Sequence, residues 1–195
     1  MLCVLALSFV YFIQGTIMPR YAAFFASMNV GGNRLKMTDL RDALEREDLE
    51  DVETVVASGN VLFSFDERPT EGLSEMLAFI VKDRFDFDTF AAVRSRDEVR
   101  AAIEDNPFHG EGDDKQVHTL FLEREADADQ FGVLTAAYEG RGPERIALGD
   151  RCLYVDYVEG VGNSRLTGPF IERKLDRRFT ARNMASLKRI LDKMD

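Results

Sequence analysis

Leu73, Met76, Leu77, Ile80 and Val81 recur at spacings of three and four, which places all five on one face of an α-helix. The segment around that helix is constrained further by what flanks it. Thr70, within the polar "ERPTEG" loop, can start the helix. Before it, Val52 to Ala57 and Val61 to Phe65 are β-prone runs joined by Ser58, Gly59 and Asn60, and Gly59-Asn60 suits a tight hairpin turn. After it, Thr89 to Val93 is a further strand. Upstream, Tyr21 to Met28 is an aromatic-rich buried strand, followed by a Gly-Gly loop. Thr38 then caps a helix with Leu40, Ala43 and Leu44 on one face. The order is β-α-β-β-α-β, the split ferredoxin-like unit.

The second half reads almost the same way. Ser95 caps a short helix with Val99, Ala102 and Ile103 inward, stopped at Asn106-Pro107. Val117 to Leu122 is a strand and Asp127 to Tyr138 a helix. "RIALGDRCLYVDYV" is two strands around a Gly149-Asp150 turn, and helices over Arg165 to Leu175 and Arg182 to Met194 close the chain. The expected fold is therefore α+β: two ferredoxin-like halves packed together, with antiparallel sheets and helices on one face. Their bounds are about 21–105 and 106–195, with the polar loop at 104–115 as the seam, although no residue-level repeat is visible.

The chain has 195 residues, 45% hydrophobic and 31% charged, the composition of a globular protein. Its net charge of -10 is unevenly spread: residues 165–194 sum to +6 and the remainder to -16. An acidic body argues against the whole surface serving as a nucleic-acid platform. Two cysteines, Cys3 and Cys152, and two isolated histidines, His109 and His118, form no disulfide framework, metal-ligand frame or nucleophile-base pair. No cofactor motif is present. Cys152 is expected to be a packed or surface thiol, because no neighbouring base activates it. A cytoplasmic location fits this cysteine usage.

The opening "MLCVLALSFVYFIQGTIM" carries no charge over 18 residues. A signal peptide lacks its basic start and small-residue cleavage site here, and a membrane span is marginal at this length. Translation from Met18, giving "MPRYAAFF", is the favoured reading. Residues 1–17 are then a leader outside the 18–195 domain, and no membrane association is expected unless that leader is retained.

In a split unit the strands run in the order 4-1-3-2. The end of the first strand and the start of the third then share one edge with a helix N-terminus. That edge gathers Asn29, Gly31, Gly32 and Asn33 with Ser58, Gly59 and Asn60: small residues, side-chain amides and free N–H groups, an arrangement suited to a small polar or anionic ligand. Turn chemistry alone also accounts for these residues, and neither GxGxxG nor a P-loop is present. Near the C-terminus, Thr180 is expected as a helix cap with Arg182 and Asn183 behind it, a second anion seat. On the last helix Met184, Leu187, Ile190, Leu191 and Met194 face inward, while Arg182, Ser186, Arg189 and Lys193 recur on the other side. Intramolecular ion pairing is the plainer role for that basic stripe. Nucleic acid or an acidic protein is expected to bind, if at all, only through Arg182, Arg189 and Lys193.

"YAAFFASMNVGGN", "VASGNVLF", "NPF" at Asn106 to Phe108 and "IERKL…TARN" together resemble a bacterial family catalogued as domain of unknown function 1697. The resemblance runs over about 21–194 and implies an α+β fold of two ferredoxin-like halves, with no established activity. Relatives usually have arginine where this chain has Ala26, and an aromatic where it has Met184. Asn29, Gly31, Gly32, Asn33, Ser58, Gly59, Asn60, Thr180, Arg182 and Asn183 match, and they are the residues expected to line a ligand edge.

Overall fold

The computed structural model describes residues 18–26, 35–55, 59–86 and 88–195. The first half comprises β1 (Arg20–Phe25), α1 (Met37–Glu45), β2 (Glu50–Thr54), β3 (Asn60–Ser64), α2 (Thr70–Phe85), β4 (Ala91–Ser95) and α3 (Arg96–Glu104). The second comprises β5 (Val117–Leu122), α4 (Ala128–Tyr138), β6 (Arg145–Gly149), β7 (Cys152–Asp156), α5 (Gly168–Leu175), β8 (Phe179–Asn183) and α6 (Met184–Lys193). A short 3-10 turn at Val161–Asn163 precedes α5. The two halves thus repeat one order, and each folds into a four-stranded antiparallel sheet: β2-β3-β1-β4 and β6-β7-β5-β8.

Alternation along the strands divides the apolar residues between two faces. Tyr21, Ala23 and Phe25 of β1 pack beneath α1 and α2 with Leu40, Leu44, Leu73 and Leu77. Leu120 and Leu122 of β5 pack beneath α4 and α5 with Leu134 and Ile171. The opposite faces of both sheets meet in one shared core, which α3 and α6 complete. At its centre the Phe24 and Phe121 rings lie parallel, with centroids 4.5 Å apart.

The C-terminal region departs from expectation. Thr180 caps nothing: it belongs to β8, paired with Phe121 of β5, and α6 starts at Met184. The cap of α6 is Asn183, whose side chain accepts a 2.9 Å hydrogen bond from the Ser186 N–H. β8 escapes a hydrophobic pattern because its inward residues, Thr180 and Arg182, are polar. α1 likewise begins at Met37, so Thr38 lies inside it and the Lys36 cap makes no side-chain bond. The fourth strand sits two residues later than expected and runs straight into α3, where Ser95 and Glu98 form the reciprocal bonds of a capping box.

At the β6–β7 turn the left-handed residue is Arg151, with φ 49°, rather than Gly149. Gly149 is small for another reason: a Cβ there would come within 2.5 Å of the Tyr154 ring and 2.7 Å of the Cys152 sulfur.

Truncating either stacked ring should therefore be costly. Phe121→Ala is expected to lower unfolding free energy by about 3–5 kcal/mol in urea titrations. Adding Phe24→Ala should cost about 0.5–1.5 kcal/mol less than it does alone, because the stacking partner is already gone.

Candidate functional site

Strand register shows how the two halves correspond. Tyr21 pairs with Ser95 and His118 with Asn183, so the caps of α3 and α6 occupy equivalent places. One residue before each cap is an arginine: Arg94 opposite Ala22, and Arg182 opposite Thr119. Both point into the shared core, and each crosses to the other half. The Arg94 guanidinium carbon lies 5.1 Å from the centre of the Phe121 ring, and that of Arg182 lies 5.5 Å from the centre of Phe24. Arg94 donates to the Arg151 carbonyl at 3.0 Å, and Arg182 to the Gly59 carbonyl at 3.3 Å. Those carbonyls belong to equivalent left-handed turn residues, and each also accepts a strand N–H, from Leu122 and Phe25 respectively. At Gly59, with φ 68°, glycine is the residue that adopts this turn without strain.

Around Arg182 several residues singled out in the sequence converge. Its Nε donates to Asn60 Oδ1, and its Nη1 donates to Thr180 Oγ1 and the Ala181 carbonyl, both at 2.7 Å. Its Nη2 donates to the carbonyls of Gly59 and, at 3.2 Å, Phe25. Asn60 is buried, with its Nδ2 donating to the Val55 carbonyl at 3.0 Å. Thr180 is buried too, and its hydroxyl donates to the Phe25 carbonyl at 3.1 Å. Gly59, Asn60, Thr180 and Arg182 thus form one network, with the side chains holding the guanidinium in place. Burial lowers the Arg182 pKa to about 10, still far above neutrality, so the charge is retained. Asn183 is not part of this group: it alternates to the other side of β8 and caps α6. Asn29, Gly31, Gly32, Asn33 and Ser58 lie outside the described residues.

The basic stripe is largely engaged within the fold. Lys193 pairs with Glu53, and Arg182 belongs to β8 and turns inward; Lys188, outside the stripe, pairs with Asp114 at 2.7 Å. Arg189 remains exposed.

Sequence reasoning missed Arg94. Its signal is an arginine immediately before a helix cap, as at Arg182, and it becomes readable once β4 and β8 are recognised as equivalent. Arg94 lies on the wall of two cavities, of 230 Å³ and 320 Å³, on either side of it.

Other chemistry is sparse. Among the described residues no group of three His, Cys, Asp or Glu side chains could hold a metal ion, and no helix is long and apolar enough to cross a membrane. His118 is half-buried, edge-on to Tyr157 at 5.1 Å, and burial lowers its pKa. Burial pushes the Cys152 thiol up to about 11, with only partial relief from Tyr154 and Arg94.

This arrangement matches known proteins along most of its length. A family model described as "Protein of unknown function (DUF1697)" matches residues 18–154. The chain belongs to the DUF1697 family. A solved structure, that of the conserved bacterial protein SP0830 from Streptococcus pneumoniae, superposes on this DUF1697 protein with a TM-score of 0.69. The two are 25% identical, and the match covers 91% of this chain and 99% of that one. No functionally curated protein matches.

Cys152 should be inert in the native protein. In a Cys3→Ser variant at pH 8, a disulfide reagent is expected to give no release on the minutes scale, and one equivalent of thiol after unfolding in guanidinium.

Proposed function

We propose that this protein binds a small polar or anionic ligand at the edge where Arg182, Thr180, Gly59 and Asn60 converge. The observation that carries the reading is the convergence itself. Five residues from three separate segments, Phe25, Gly59, Asn60, Thr180 and Ala181, hold one guanidinium at the end of the sheets, and the hydrogen bonds named above run to neutral oxygens. Those bonds occupy every guanidinium nitrogen, so what Arg182 offers a ligand is a fixed positive potential in a partly desolvated place. Direct hydrogen bonds would come from residues 29–33 and Ser58, which follow β1 and precede β3 in the sequence. An arginine immobilised beforehand loses little further entropy on binding, which favours a small ligand of modest affinity.

The test is a thermal-shift screen of the full chain against phosphate, sulfate, acetate, succinate and nucleoside monophosphates. At least one should raise Tm saturably, by an amount that grows logarithmically with its concentration. Arg182→Gln should abolish that shift. Asn29→Ala should weaken it about tenfold, the loss of one charge-assisted hydrogen bond. A screen with no saturable shift, or one whose shift survives Arg182→Gln, rules the reading out.

A further inference from the structure

The pseudo-twofold mate of Arg182 is the less satisfied of the two. Arg94 is 4% exposed, yet among the described residues its guanidinium makes only two hydrogen bonds, to the carbonyls of Val93 at 2.8 Å and Arg151 at 3.0 Å. Among the described residues it has no ion pair. The nearest carboxylate candidate, Glu98, is already committed. One oxygen accepts the Ser95 N–H at 2.7 Å, and the other takes both Arg151 and, at 3.1 Å, the Thr70 hydroxyl. Removing a guanidinium from water costs several kcal/mol; Glu98 and Asp150 act on Arg94 through space without bonding to it, and a ligand carboxylate would offset the cost further.

Arg94 opens onto the 230 Å³ cavity between α3 and the β6–β7 turn. Phe121 and Tyr154 also line it, and its remaining charges are opposite in sign to Arg94. With Arg151 and Glu98 paired to each other, Asp105 at the end of α3 and Asp150 in the turn are left. Both line the cavity, and both add to burial in raising the pKa of the buried Tyr154 hydroxyl. The lining of this cavity thus carries charges of both signs. A simple anion would meet two carboxylates, and a simple amine would meet the arginine. The volume is below the roughly 300–1,000 Å³ of drug-sized sites, which restricts the occupant to a few heavy atoms.

We propose that this cavity binds a small zwitterion, an amino acid, whose carboxylate pairs with Arg94 and whose ammonium faces Asp105 and Asp150. The proposal stands apart from the Arg182 edge, since it rests on different residues in a different cleft. Isothermal titration of the full chain against the twenty L-amino acids, with propionate, propylamine and phosphate alongside, tests it. At least one amino acid should bind saturably, and the three comparison compounds at least about tenfold more weakly, each lacking one charge-assisted contact. Arg94→Gln should abolish the binding. Because that buried change can also unfold the protein, the decisive variant is Asp105→Asn with Asp150→Asn, at exposed positions, with folding checked by circular dichroism. It should weaken the amino acid about tenfold or more. The proposal is overturned if no amino acid binds, if propionate or phosphate binds as well, or if the double variant keeps full affinity. A signal lost on Arg182→Gln but kept in the double variant belongs to the other edge and overturns it equally.

Discussion

The stack of Phe24 on Phe121, with an arginine reaching each ring from the opposite half, is the contact that makes one protein out of two sheets. Each sheet has one face covered by its own pair of helices and one face left bare. Joining the bare faces buries the aromatic pair, and α3 and α6 close the remaining sides. The arginines then tie strand to turn across the junction, Arg94 to the Arg151 carbonyl and Arg182 to the Gly59 carbonyl. Further ion pairs reinforce the same boundary, from Arg151 to Glu71 and Glu98 and from Arg178 to Asp88 at 3.5 Å. Being partly exposed, these are secondary to the buried contacts.

Two buried guanidiniums are an expensive way to join two sheets. A desolvated cation costs several kcal/mol, against about 2 kcal/mol for a good cation–π contact and about 1.5–3 kcal/mol for each hydrogen bond to a charged group. For Arg182 those contributions suffice, because Asn60, Thr180 and three carbonyls receive its donors. Arg94, whose equivalents of Thr180 and Asn60 are Ala92 and Cys152, has fewer such partners. The duplication is therefore symmetric in backbone and asymmetric in chemistry. In the half with fewer polar partners, a cavity lies against the arginine.

Much of the architecture could be read from periodicity. The three-and-four spacing of Leu73 to Val81 gave α2, the β-prone runs gave β1 to β7, and the split order fixed which strand ends share an edge. That order brought Gly59 and Asn60 to the end of β1, where they are found. β8 stayed hidden because both of its inward positions are polar, and a strand whose buried face is Thr and Arg presents no apolar alternation. Missing β8 left the second half one strand short of the first, although the two orders already read almost alike. Arg94 was overlooked for the same reason: an arginine in a short strand is ordinarily solvent-facing, and only the opposed sheet makes it buried.

The sequence by itself determined the elements, their order and the membership of a DUF1697-type chain, because these follow from local periodicity, turn chemistry and motif text. Strand order also brought Gly59 and Asn60 to the end of β1, but that Arg182 of β8 joins them was decided by the packing of the second sheet on the first. What only the tertiary structure decided is the role of each side chain. Thr180 became a strand residue that receives an arginine rather than a helix cap, and Asn183 became the cap. Arg94 became a buried charge on a cavity that Asp105 and Asp150 also line. Those outcomes depend on how two sheets face each other, a long-range packing choice that no local pattern encodes.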